Sequence, residues 1–207
     1  MLAIDVAAER VTALAREIGG EALVLDVSDP RAWDEIARCE PTLAHLNAGV
    51  GTPGLDLGAF DDEVWEHIRG VNLDAMVWGI RAVVPAMRRN SGGAIVMTAS
   101  TAGLQSYGGD PFYTATKYGV VGLARAAAQR LARDRITVDA LCPALVDTPM
   151  AALMIAKQRR DDPTRAVLSP DDVAGVVADA LADEGTGRAL VCRAGHGLHV
   201  APEASFD

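Results

Sequence analysis

Ala94-Ile95-Val96-Met97-Thr98, a polar loop from Ser100 to Pro111, a helical stretch from about Phe112 to Asp134, and Ile136-Thr137-Val138-Asp139-Ala140-Leu141 follow one another in mid-chain. Both apolar runs are short, continuous and bounded by turn residues, as strands buried on two faces require. A helix between two such strands makes a crossover unit, and a crossover leaves its strands parallel. The same alternation continues outward. Upstream, Leu43-Ala44-His45-Leu46-Asn47-Ala48-Gly49 reads as a strand stopped by a glycine-rich loop through Gly58, and a long helix is expected from about Asp61 to Arg89 with Gly70 and Gly79 inside it. Further back, Ala22 to Val27 reads as another buried strand. Ser28 or Asp29 then caps a helix with Pro30 in its first turn, ending near Arg38. The chain opens on Leu2-Ala3-Ile4-Asp5, followed by a helical spacing of Val6, Val11, Leu14, Ala15 and Ile18 that stops at Gly19-Gly20. Downstream, Pro170 to Asp183 is a helix and Arg188 to Cys192 the closing strand. The segment Asp147 to Ser169 reads equally well as a mobile flap or as a surface helix and turn. The pattern predicts an α/β protein, a doubly wound parallel sheet covered by helices on each side, in one domain over residues 1–207.

Composition narrows the function classes. Half of the 207 residues are hydrophobic and 4% are aromatic, so an aliphatic packed core is expected and a disordered chain is excluded. A net charge of −9 with scattered arginines leaves no basic footprint for nucleic acid. No apolar run approaches the roughly 18 residues of a membrane span, and Asp5 and Glu9 do not suit a signal peptide; a cytoplasmic location without membrane contact is expected. Cys39, Cys142 and Cys192 lack metal-type spacing and read as reduced core residues. His196 and His199 sit among glycines and read as an incidental loop pair, so no metal site is expected.

Chemistry concentrates around Tyr113-Thr114-Ala115-Thr116-Lys117. Four residues apart on a helix, the phenol and the ammonium share a face, and a nearby ammonium favours the phenolate. Ser100 stands where the strand Ala94 to Thr98 runs out, at the carboxyl edge where open α/β sheets gather ligand groups. Taken alone it would only cap local backbone. Asn72 lies in a helical stretch among apolar neighbours, where an amide is unfavourable unless it finds a partner, unless the position is simply exposed.

Asn72, Ser100, Tyr113 and Lys117 resemble, in order and spacing, the catalytic tetrad of the short-chain dehydrogenase/reductase family. The resemblance covers essentially the whole chain. Leu25-Asp26-Val27 is similar to the family's adenine-contacting Asp-Val, Leu46-Asn47-Ala48-Gly49 to its N-N-A-G, Ser100-Thr101-Ala102-Gly103 to its serine segment, and Pro143-Ala144-Leu145-Val146-Asp147-Thr148 to its P-G-x-V-x-T. The resemblance implies a Rossmann-like fold and an NAD(P)-dependent oxidoreductase acting on a small-molecule alcohol or ketone. Tyr113 would be the general acid/base, Lys117 would lower its pKa and bind the nicotinamide ribose, Ser100 would hold the reacting oxygen, and Asn72 would hold a water in a proton relay. Asp5, at the end of what looks like the family's second strand, would accept the adenosine ribose hydroxyls, and its charge favours NAD(H) over NADP(H). Asp26, Val27, Asn47, Ala48 and Gly49 would line the adenosine side, and Pro143, Val146 and Thr148 the carboxamide and phosphates. Relatives commonly pair through two long helices, here near Asp61 to Arg89 and Phe112 to Asp134, so a homodimer or homotetramer is implied.

The sequence also departs from the family. The glycine-rich T-G-x-x-x-G-x-G turn is absent, as are the strand and helix that flank it; Leu46 replaces the first Asn of N-N-A-G, and Ala144 the Gly of P-G. About 30 residues of βαβ are therefore expected before Met1, and a start codon assigned too late would explain them. Without that strand, Ala22 to Val27 is expected to lose its route into the main sheet, four parallel strands from Leu43 onward to remain, and the Leu43 strand to show an apolar edge. The catalytic half of the site is expected to form and the cofactor half to be broken. The alternative function is a non-catalytic truncated paralogue with a binding or oligomer-partner role.

Overall fold

The structure, a computed structural model, describes residues 1–203. The chain runs β1 (Leu2–Asp5), α1 (Ala8–Glu17), β2 (Glu21–Val24), α2 (Trp33–Arg38), β3 (Leu43–Leu46), α3 (Asp62–Arg69), α4 (Ala75–Arg89), β4 (Gly93–Thr98), α5 (Pro111–Leu131), β5 (Ile136–Pro143), α6 (Ala152–Asp161), α7 (Pro170–Ala182), β6 (Ala189–Arg193) and β7 (Gly197–Ala201). Strands β3-β4-β5-β6-β7 form one sheet in that order, the first four parallel and β7 antiparallel to β6. Strands β1 and β2 pair in parallel as a separate sheet.

The period of two along the central strands fills both faces. Ile95 and Met97 of β4, Val138, Ala140 and Cys142 of β5, and Ala189 and Val191 of β6 pack with α2, α4 and α5 residues in one cluster. Val96, Leu141, Leu190 and Cys192 face the other way, onto Val177 and Ala180 of α7. Helices on both sides of a parallel sheet are the doubly wound arrangement that the βαβ alternation predicts. Within β5, Asp139 is buried and takes the Arg188 guanidinium at 2.6 Å and the Arg188 N–H at 2.8 Å, which anchors the turn into β6.

Several expectations need correction. Arg188 to Cys192 does not close the set, because a turn at Arg193–Gly197, with Gly195 and Gly197 at positive φ, returns the chain as β7. His199 therefore lies on a strand rather than in a loop. The Ala22 to Val27 run is not buried on both faces: β2 pairs only with β1 among the described residues and Val24 is exposed. Its separation from the main sheet is as expected, with Ile4, Leu23, Leu25 and Val27 packing against the main core from outside. The long helix is interrupted by a π-helical turn, Gly70–Asp74. Of the flap and helix readings of Asp147 to Ser169, the structure takes the helix, α6, over part of it. Cys39 is exposed, while Cys142 and Cys192 are buried.

Candidate active site

The site gathers at the carboxyl ends of β4 and β5. Strand β4 ends at Thr98, and Ser100 follows in extended backbone, its Oγ accepting the Ala102 N–H at 3.1 Å. The Thr101–Gly103 turn packs directly on α5: a Cβ at Gly103 would lie 2.5 Å from the Lys117 carbonyl oxygen, so only glycine permits this approach. Asp110 caps α5 by accepting the Tyr113 N–H at 3.0 Å, and Pro111 supplies the preset first turn. Tyr113 and Lys117 then face one another across one turn, with Lys117 Nζ over the Tyr113 ring, 5.5 Å from its centroid.

Lys117 is buried, and its Nζ donates to the Thr98 carbonyl at 2.7 Å. Burial pushes its pKa down to about 8. Tyr113 stands above its ordinary value of 10, driven up mainly by burial; a Ser100 hydrogen bond pulls it down, while the Asp110 charge pushes it up. The expected depression of the phenol by Lys117 is therefore not met in this geometry. The ammonium lies over the ring face and is engaged by Thr98, so desolvation outweighs it. Cys142, beside them on β5, is pushed up to about 12 by burial and stays a thiol.

Asn72 is fully buried, and the π turn carries its amide inward. Its Oδ1 accepts the Val50 N–H and its Nδ2 donates to the Val50 carbonyl, each at 2.8 Å, while Nδ2 also reaches Thr116 Oγ1 at 3.2 Å. Thr116 Oγ1 donates to the Tyr113 carbonyl at 2.7 Å. Asn72 thus joins the Gly49 loop to α5. Asn47 accepts from Thr98 Oγ1 at 2.9 Å, and Thr98 Oγ1 also meets His45 Nε2 at 2.8 Å. Asn47 and Ala48 are exposed at the end of β3, beside half-buried Gly49. Pro143 ends β5, and Val146 and Thr148 follow, Val146 bridging to Leu168.

Asn72, Ser100, Tyr113 and Lys117 are thus brought together with Gly49 and Asn47. Asp5 ends β1 of the two-stranded sheet, and Asp26 lies two residues beyond the end of β2. Asp5 is exposed and accepts the Ala7 N–H at 2.8 Å; Asp26 is exposed and accepts the Ser28 N–H at 2.8 Å and its hydroxyl at 2.7 Å. Val27 is half-buried, its carbonyl accepting from Trp33 Nε1 at 2.8 Å. Sequence reasoning missed Thr116 and Asp110. A threonine among helix formers and an Asp-Pro pair at a helix start were the available signals.

A dinucleotide needs donors and space at both its nicotinamide and its phosphate ends. Gly49, expected to line the adenosine side, lies beside Lys117 and Asn72 instead: a Cβ there would sit 3.4 Å from Lys117 Nζ and 3.5 Å from Asn72 Oδ1, so glycine leaves room for a ligand at the catalytic end. For the phosphates, the sequence holds no T-G-x-x-x-G-x-G turn. Among the described residues no group of three His, Cys, Asp or Glu is placed to hold a metal, and no helix is long and apolar enough to cross a membrane.

Residues 1–159 match the short chain dehydrogenase family. The chain belongs to this family. A diacetyl reductase [(S)-acetoin forming] of Staphylococcus aureus is 39% identical over 105 residues, a match covering 50% of this chain and 40% of that protein. The 3beta-hydroxysteroid dehydrogenase 2 of Eggerthella lenta is 35% identical over 159 residues, covering 71% of this chain and 61% of that protein. Among solved structures, a candidate NAD(P)-dependent gluconate 5-dehydrogenase of Beutenbergia cavernae with bound NADP superposes with a TM-score of 0.77 at 28% identity, covering 88% of this chain and 79% of that one. The Rossmann-like fold of this chain is shared with that structure. The chain spans between 40% and 61% of the length of those two curated relatives.

Proposed function

We propose that this short-chain dehydrogenase interconverts a secondary alcohol and a ketone by hydride transfer with a nicotinamide cofactor, NAD(H) in preference to NADP(H). The observation that carries this reading is the convergence of Ser100, Tyr113 and Lys117 at the carboxyl ends of β4 and β5, with Asn72 bound to the adjoining loop. The nicotinamide, when bound, supplies or accepts the hydride. Tyr113 exchanges the proton with the substrate oxygen, and Ser100 holds that oxygen by its hydroxyl. Lys117, largely charged at neutral pH, offers donors to the cofactor ribose and steadies negative charge on Tyr113. Asn72 fixes the Val50 peptide and so the loop on which the nicotinamide end would rest. Asn47, Ala48, Gly49, Pro143, Val146 and Thr148 would contact the cofactor, with Asp5, Asp26 and Val27 on its adenosine side. The carboxylate of Asp5 supports the preference for NAD(H), since it would repel a 2′-phosphate.

Substrate specificity is assigned to the segments around Tyr107 and α6. Tyr107 meets Met154 Sδ at 3.3 Å, and exposed Met150 and Leu153 extend the same apolar surface. That surface supports a substrate with an apolar body, of the breadth spanned by the diacetyl and hydroxysteroid enzymes among the relatives. A homodimer or homotetramer through α3–α4 and α5 is proposed on the family resemblance, supported by exposed Val77 and Tyr118 on those helices; sedimentation of a monomer alone at micromolar concentration would exclude it.

One observation favours a second reading, a non-catalytic family member: β1, which ends at Asp5, pairs among the described residues with β2 and not with the catalytic strands. Hydride transfer separates the two. NADH oxidation is followed with a panel of ketones for the chain and for Tyr113→Phe, together with NADH fluorescence. A rate that falls by about 100-fold or more in the variant supports catalysis; equal traces, or no fluorescence change at millimolar NADH, support the second reading.

A further inference from the structure

Asp110 makes more contacts than a helix cap requires. Capping uses one oxygen on one backbone N–H, and serine or asparagine serves about as well. Here Oδ1 is shared between the Tyr113 N–H at 3.0 Å and the Thr52 hydroxyl at 2.8 Å, while Oδ2 accepts the Thr52 N–H at 2.5 Å. The residue is 4% exposed and has no salt bridge among the described residues. A buried carboxylate held only by neutral donors is costly unless each of them is well placed. The loop is shaped to reach it: a Cβ at Gly51 would lie 3.3 Å from Oδ2. On the other side of the same loop, Asn72 grips the Val50 peptide and reaches Thr116.

We propose that Asp110 is a positioning residue that ties the Gly49–Thr52 loop to the first turn of α5, so that the segment beside the nicotinamide end and the helix carrying Tyr113 move as one unit. The loop is fastened to α5 at two points, Tyr113 through Asp110 and Thr116 through Asn72. A neutral cap would preserve the helix start and leave Thr52 without its charged acceptor. The assignment of a role to this coupling rests on Tyr113 as the acid/base. The coupling itself is measurable without cofactor or substrate.

The test is amide hydrogen exchange on the unliganded chain, with phenolate absorbance of Tyr113 read in a Tyr107→Phe/Tyr118→Phe background. Thr52→Val removes one donor and leaves the sequence of α5 intact. It is expected to speed exchange at both Thr52 and Tyr113 by about threefold to tenfold, the loss of one net hydrogen bond, and to move the Tyr113 titration. Asp110→Asn keeps a cap oxygen and removes the charge. It is expected to speed exchange at Thr52 together with Tyr113 and to lower the Tyr113 pKa. The proposal is overturned if Thr52→Val leaves Tyr113 exchange and titration unchanged, or if Asp110→Asn loosens only the first turn of α5, the behaviour of a simple cap. Absence of hydride transfer would sink the oxidoreductase reading without altering these exchange results.

Discussion

Lys117 carries a stability cost that its neighbours only partly offset. Its pKa falls from 10.5 to about 8 on burial, so the folded state releases a proton that the unfolded state keeps between those values. Stability therefore rises as pH climbs from about 8 to about 10.5, and at neutral pH the buried charge costs about 3 kcal/mol. Lys117→Met removes that cost and leaves the Thr98 carbonyl without its donor, a penalty of about 1–3 kcal/mol. The variant is expected to be as stable as the native chain or up to about 2 kcal/mol more stable at pH 7, to lose the alkaline rise in stability, and to lose hydride transfer. Urea denaturation at pH 7 and pH 9.5 reads the first two; a large destabilisation at pH 7 would contradict them. At Tyr113 the sign runs the other way. Its pKa above 10 keeps the phenol protonated at neutral pH, the form that donates to a carbonyl oxygen. Carbonyl reduction is thus expected to hold its rate from pH 6 to about 8, where Lys117 begins to lose its charge, and to decline above it. A reduction rate that declines between pH 6 and 8 would place the titration on another group. The Tyr113–Lys117 spacing was legible because helical geometry alone puts the two on one face; their pKa directions were not, because burial and the Thr98 carbonyl come from distant segments.

The π turn Gly70–Asp74 shows how an element can hide inside a pattern that reads as continuous helix. Apolar periodicity from Asp61 to Arg89 marks a helix, and the structure has one at each end of that stretch, but one wider turn leaves the pattern on either side helical and so is not visible in it. What it changes is the direction of one side chain, Asn72, which makes three hydrogen bonds in a fully buried position. Asn72→Ala leaves the Val50 N–H and carbonyl unpaired and is expected to cost about 2–4 kcal/mol. Calorimetry should show the loss, and amide exchange should show it concentrated at Val50 and its neighbours. A change under about 0.5 kcal/mol would mean that the clamp is not maintained in solution. Strand β7 was missed for a different reason. Gly195 and Gly197 supply the positive φ of its turn, and in sequence they suggested only a loop around His196 and His199. A short antiparallel return on a parallel sheet is decided by pairing with β6, which five residues do not announce.

At the scale of the molecule, the described strands divide into two sheets. The five-stranded sheet and α5 hold Ser100, Tyr113 and Lys117 on a core packed from both sides, and the four parallel strands of this part, unlike β7, were legible as short apolar runs alternating with helices. The β1–β2 pair, with Asp5 at the end of β1, leans on that core through Ile4 and Leu23, as do Leu25 and Val27 just beyond β2. Its separation was expected from the absent glycine-rich unit, whereas the exposure of Val24 follows only from the assembled packing. Strand β3 is the edge of the main sheet: it pairs with β4 alone among the described residues, and Leu43 on it is 58% exposed. An apolar edge with unpaired backbone groups invites strand addition from another copy, and the overall charge of −9 opposes that approach only over roughly a Debye length. Self-association is therefore expected to grow with concentration and with salt. Leu43→Lys, which puts a charge on the edge while the β3–β4 backbone pairing stays intact, is expected to suppress it with a stability change within about 0.5 kcal/mol. Static light scattering across a concentration series at low and high salt makes the comparison. If Leu43→Lys scatters like the native chain while remaining folded, association runs through another surface, and the exposed α4 and α5 faces at Val77 and Tyr118 become the ones to change next.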